Sequence, residues 1–80
     1  MARFAKLFDM PDGNQVLVTK EWDDDDEKDK ITQRVFYSDL NISMDIGYKS
    51  ETAMNEAFDA YDQTKAEICL KAVKVIIPNN

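Results

Sequence analysis

The most regular pattern in the chain is Leu40, Ile42, Met44, Ile46 and Tyr48 alternating with Asn41, Ser43, Asp45 and Gly47. Successive side chains of an extended chain point to opposite sides, so this period of two predicts a β-strand with one buried and one wetted face. Ala2–Phe8 predicts a first strand, with Phe4 and Phe8 on one face. Pro11 and the Asp12-Gly13 pair follow. Proline presets a turn and glycine accepts a positive φ, so these residues predict a hairpin. Gln15–Trp22 supplies the returning strand: its valines and Thr19 favour extended backbone, and Val16, Val18 and Trp22 share a face. That shared face predicts a core position for Trp22 as the ordinary outcome. The first hairpin spans residues 2–22. Asp23–Lys30 reads as a loop, because like-charge repulsion and the low strand propensity of aspartate both oppose pairing. Ile31–Tyr37 resumes strand character, and Ser38-Asp39 predicts a tight turn into Leu40–Tyr48, completing a second hairpin.

After Tyr48 the period changes. Ser50 reads as a helix N-cap with Glu51 in the first turn. Met54, Ala57, Phe58, Tyr61, Ile68 and Ala72 recur at helical spacing. Acids occupy the first half of this segment and lysines the second, which suits the helix dipole. One long helix is therefore expected. Leu70 falls opposite the stripe, which argues for an early end, and the β-branched run Val73–Ile77 fits a short C-terminal strand closed by Pro78. The expected architecture is α+β: an antiparallel sheet of four strands in two hairpins, with one long helix packed on one face.

Composition narrows the function classes. The 80 residues make a single domain, 1–80, with no internal repeat or linker. A chain this short buries only about 60% of its unfolded surface, so association with a second copy is a natural way to thicken the core. Histidine is absent, which removes the commonest metal ligand and the commonest general base near neutral pH. The two glycines, Gly13 and Gly47, build no phosphate-cradling loop. The single cysteine, Cys69, forms no internal disulfide and reads as a small core residue. No apolar run approaches the ~20 residues of a membrane helix, and the N-terminus lacks the pattern of a secretion signal. A cytoplasmic protein without membrane contact or cofactor is expected.

The net charge is −6 and unevenly placed. Residues 23–30 carry six acids and two lysines, a net of −4, and residues 50–63 carry Glu51, Glu56, Asp59 and Asp62 without a base, again −4. Direct nucleic-acid binding is disfavoured, because phosphate contacts need clustered lysine and arginine. The acidic tract is a poor calcium loop. Counted from Asp23, the positions that need glycine and a bidentate glutamate hold Lys28 and Arg34. This leaves weak divalent-cation binding as a minor alternative. Adjacent solvated aspartates are also a poor setting for paired catalytic carboxylates, and Asp45, on the polar side of its strand, is expected to face water.

What such residues can do is bind. Trp22, Asp23, Asp24, Asp25, Asp26, Glu27 and Asp29, with Glu51, Asp59 and Asp62 of the helix, form the candidate partner-binding surface. Together they would steer association with a protein carrying a basic site. Basic grooves are commonest on nucleic-acid-handling proteins. A small acidic domain fills one by standing in for phosphates, as acidic inhibitors from phages and mobile elements do. The plain alternative is a solubilising loop and a solvated helix face. A second function class is a structural or assembly subunit. Leu70, Val73, Val75, Ile76 and Ile77 are more apolar residues than one helix–sheet contact buries, and they either complete the core or form a homodimer seam.

Overall fold

The computed structural model describes residues 4–23, 27–37 and 39–77. In chain order the elements are β1 (Ala5–Asp9), β2 (Gln15–Asp23), β3 (Lys28–Tyr37), β4 (Leu40–Tyr48), α1 (Glu51–Ala60) and α2 (Gln63–Ile76). The strands form one antiparallel sheet in the order β1-β2-β3-β4. Both helices pack on one face of it, so the α+β layering follows the sequence pattern.

The first turn works as its residues dictate. Met10 N–H donates to the Asn14 carbonyl at 2.8 Å, and Gly13 N–H donates to the Met10 carbonyl at 3.0 Å. Gly13 adopts φ +90°, a region that glycine enters without a Cβ clash. At the second hairpin Tyr37 pairs with Leu40, as the expected tight turn requires; Ser38 itself lies outside the described residues.

The register assigns each side chain to a face. Val16, Val18, Ile31, Gln33, Val35, Ile42 and Met44 point toward the helices, and Val16, Val18 and Val35 are fully buried. From above, Met54 and Phe58 of α1 and Ala66, Cys69, Leu70 and Val73 of α2 close the core. Phe58 is its largest fully buried side chain.

Three expectations are corrected. First, the acidic segment is not a loop throughout. β2 runs on to Asp23 and β3 begins at Lys28. The register sets Lys30 opposite Glu21, with Lys30 Nζ 3.4 Å from Glu21 Oε1, and opposite signs facing across the strands favour their pairing there. Second, the single long helix is two. Tyr61 and Asp62 leave the helical conformation with ψ 119° and −176°, and the Asp62 side chain accepts from Lys65 N–H, so it caps a new helix. This break rotates the buried stripe by about a quarter turn at 100° per residue. Leu70, opposite the stripe of a continuous helix, is therefore buried, while Ile68 within that stripe is 61% exposed. Third, residues 73–76 are the last turn of α2 rather than a strand.

Candidate acidic binding surface

β2 ends at Asp23 and β3 begins at Lys28 at one end of the sheet. On the helix side of that end, Trp22, Asp29 and Tyr48 stand in one row across β2, β3 and β4. Trp22 shares the inner face with Val16 and Val18, yet it is 54% exposed where they are fully buried. The expectation of a core tryptophan is thus corrected: α1 only begins at this end, and its first turns leave the ring half exposed. Glu27, at the start of the returning strand, adopts φ 52°. This left-handed conformation costs a non-glycine residue about 1–2 kcal/mol.

α1 starts at the same end. The Ser50 side chain accepts from Ala53 N–H at 3.1 Å and fixes its first turn. Glu51 is thereby placed beside Trp22 and Asp29. A shallow depression of about 250 Å³ runs between Phe4, Trp22, Asp29, Glu51, Met54 and Asn55. Phe4, Trp22 and Met54 supply its apolar lining, and Glu21, Asp29 and Glu51 its acids. Lys20 also borders it, but its ammonium is held inward, 2.8 Å from Asn55 Oδ1 and 4.9 Å from the centroid of the Phe58 ring.

The structure does not bring all the candidate acids together. Asp59 and Asp62 lie at the far end of α1, eight and eleven residues after Glu51, and a helix rises about 12 Å over eight residues. There the chain crosses β1, and Lys6 Nζ donates to the carbonyls of Phe58, Asp59 and Tyr61 at 2.6, 3.3 and 3.1 Å. Asp62 is further engaged as the α2 cap. Glu56 is exposed on α1. Asp23 takes the last position of β2, and Asp24, Asp25 and Asp26 lie outside the described residues.

On the opposite, helix-free face a separate polar group forms. Lys30 Nζ sits 3.4 Å from Glu21 Oε1 and 3.5 Å from Asp45 Oδ2. Thr32 Oγ1 donates to Asp45 Oδ1 at 2.8 Å. Asp45 is exposed, as its place in the alternation predicts.

Other titratable groups serve the core. Burial pushes the Tyr61 phenol well above its ordinary range, and Tyr61 OH donates to Gln33 Oε1. Burial likewise raises the Cys69 thiol, the opposite of what an activated nucleophile needs. Among the described residues, no group of three histidine, cysteine or acidic side chains is placed to hold a metal ion, and no helix is long and apolar enough to cross a membrane.

The sequence pattern missed the apolar part of this surface. Phe4 and Met54 flank Trp22, and the parity that puts Phe4 and Trp22 on the inner face was the available signal. Comparison with protein-family models, with curated proteins and with solved structures finds no match to this chain.

Proposed function

We propose that this protein is a non-catalytic binding module. Its β2–β3 end docks into a basic site on a partner protein. Trp22 serves as the apolar anchor, while the acids of the Asp23–Glu27 tract, with Asp29 and Glu51, supply the negative charge. The observation that carries this reading is Trp22 itself: a large aromatic on the core-facing side of its strand, left 54% exposed beside the densest run of carboxylates in the chain. Exposed aromatics ringed by charge are typical interface anchors, and the surrounding field raises the rate of encounter with a cationic partner. Asp59 and Asp62 contribute at longer range, from the far end of α1.

The partner class that best fits a carboxylate tract is nucleic-acid-handling machinery with a phosphate-binding groove. The protein then acts as a competitive inhibitor or recruiter by phosphate mimicry. The lone, buried Cys69 suits a reducing, cytoplasmic setting.

Affinity capture from host extract tests this reading. The intact protein should retain a partner at low salt and release it as salt rises. Trp22→Ala, and separately Asp23–Asp26→Asn, should abolish capture without changing the circular dichroism. Undiminished capture by both variants refutes the reading.

A second reading, self-association into a homodimer, is favoured by a different observation. Val75 and Ile76 are 85% and 70% exposed at the end of α2. Loss of a dimer mass on Val75→Glu would support it, and a monomer at every concentration would refute it.

A further inference from the structure

The sheet has two edges, β1 and β4, and only one of them is guarded. β1 is five residues long and carries Lys6 on its inner face; β4 is nine residues long and contains no lysine, arginine or proline. Long, flat edge strands without such residues are templates for pairing with another chain. The helices also leave the inner face of β4 partly open. A groove of about 420 Å³ runs between Met44, Ile46 and Tyr48 of β4 and Ile68, Cys69 and Ala72 of α2. Ile46 and Ile68 on its walls are 45% and 61% exposed. Ala72, Val75 and Ile76 continue the Ile68 side of α2 at helical spacing, all exposed. The open backbone edge and the apolar helix stripe therefore lie on the same side of the molecule.

We propose that a second copy of this chain covers that side, with the two β4 strands pairing antiparallel about a two-fold axis at Met44. This builds on the self-association reading and supplies its seam. The register follows from β4 itself. A two-fold axis perpendicular to the sheet must pair inner-face residues with inner-face residues, so the two residue numbers of each pair sum to an even value. Only Leu40 opposite Tyr48 pairs the whole of β4, and it satisfies that parity. Met44 then faces Met44 of the second copy and Ile42 faces its Ile46, closing both grooves at once. The outer face is complementary in charge. Asp45 falls opposite Ser43 of the second copy, and Ser43 is already bonded on its other side to Arg34, whose Nε lies 3.4 Å from Ser43 Oγ. Arg34 and the second copy's Asp45 thus stand two strand spacings apart, about 10 Å between Cα atoms, which an arginine spans. Symmetry makes this contact twice. A register shifted to centre on residue 45 would instead oppose two Asp45 carboxylates, an unfavourable like-charge pair.

The product is an eight-stranded sheet with four helices on one face. Its two Trp22 ends point in opposite directions. The Trp22–Asp29–Tyr48 row lies four residues from Met44, so the ends are separated by about 27 Å along the strands.

Sedimentation equilibrium of the full chain, combined with amide hydrogen exchange across β4, tests the proposal. The expected result is a mass twice the 9.2 kDa of one chain. Every second β4 amide, the set facing away from β3, should be protected at high concentration and lose protection on dilution. Ile68→Lys, on an exposed helix position, and Ile46→Lys should each raise the dissociation constant about tenfold or more, with circular dichroism unchanged. A chain that stays monomeric at roughly 1 mM overturns both the seam and self-association, and leaves the groove to an occupant of another kind. A dimer that fails with Val75→Glu but survives Ile46→Lys, with those β4 amides unprotected, overturns the seam and leaves self-association standing.

Discussion

Lys6→Met is the substitution whose consequence the structure specifies most fully. Lys6 sits on the inner face of an edge strand, where a charge is normally a liability. Its ammonium is used: Nζ donates to the Phe58, Asp59 and Tyr61 carbonyls, which cluster where α1 ends and carry the negative end of its dipole. It also lies 4.8 Å from the centroid of the Phe58 ring, the largest fully buried side chain. Methionine keeps the length and the apolar stem and removes only the charge and the donors. A hydrogen bond to a charged group contributes about 1.5–3 kcal/mol, and a cation at a helix C-terminus about 0.3–1 kcal/mol. Water reaches this partly exposed site and replaces some of what is lost, so a net cost of about 2 kcal/mol is expected. At a urea dependence near 1 kcal/mol/M for a domain of this size, the midpoint should fall by about 2 M. The helical circular dichroism signal reports it, with Lys65→Met on the exposed face of α2 as control. A Lys6→Met midpoint within about 0.5 M of wild type would refute the idea that this ammonium anchors the end of α1.

Other substitutions and titrations probe further features. Asp62→Ala removes the α2 cap and should cost about 1 kcal/mol, a drop of roughly 4–8 °C in melting temperature that Asp62→Asn should largely avoid; equal losses in the two variants would contradict the capping role. The Cys69 thiol, raised by burial, should react with a thiol reagent near pH 8 far more slowly than free cysteine until the chain is unfolded; rapid native-state modification would contradict its burial. The Lys74 ammonium, 2.9 Å away, holds the Asp12 carboxyl below its ordinary range, and Asp12 in turn raises Lys74. Because the folded pKa of Asp12 is lowered, its share of stability is present above the unfolded value and is lost as pH falls through the folded one; for Lys74, raised, the share is present below its unfolded value and is lost as pH climbs through the folded one. Carboxyl chemical shifts followed through the acid range should place Asp12 below an unpaired aspartate in wild type and move it up toward the ordinary range in Lys74→Met, the Asn14 N–H still holding it part of the way down; an Asp12 titration the same in both would contradict the pair.

Features set by a few adjacent residues could be read from the chain. The turn at Asp12-Gly13, the alternation of β4 and the Ser50 cap each rest on side chains acting within three or four positions of themselves. Features decided between segments could not. The lysine that pairs with Glu21 across the strands is recognisable only once β3 is folded back in register. The α1–α2 break is disguised because Tyr61, within it, and Ile68, beyond it, keep a spacing of seven that suits one continuous helix. Lys6 can fill the break only from β1, more than fifty residues away. The same limit applies to the site. The acids were visible as acids, but the separation of Glu51 from Asp59 and Asp62, and the exposure of Trp22 on a core-facing side, depend on where α1 begins and which strands it crosses.

Where Trp22 and the carboxylates near it meet a basic partner surface, the emission of Trp22, the sole tryptophan, reports on that contact directly. Free protein should show emission readily quenched by acrylamide. Saturation with the captured partner should shield Trp22 and shift its emission to shorter wavelength. About 1 M salt, where charges are screened within about 3 Å, should restore the free signal. A saturated complex in which Trp22 is quenched as freely as in the protein alone, or one indifferent to that salt, would contradict the account.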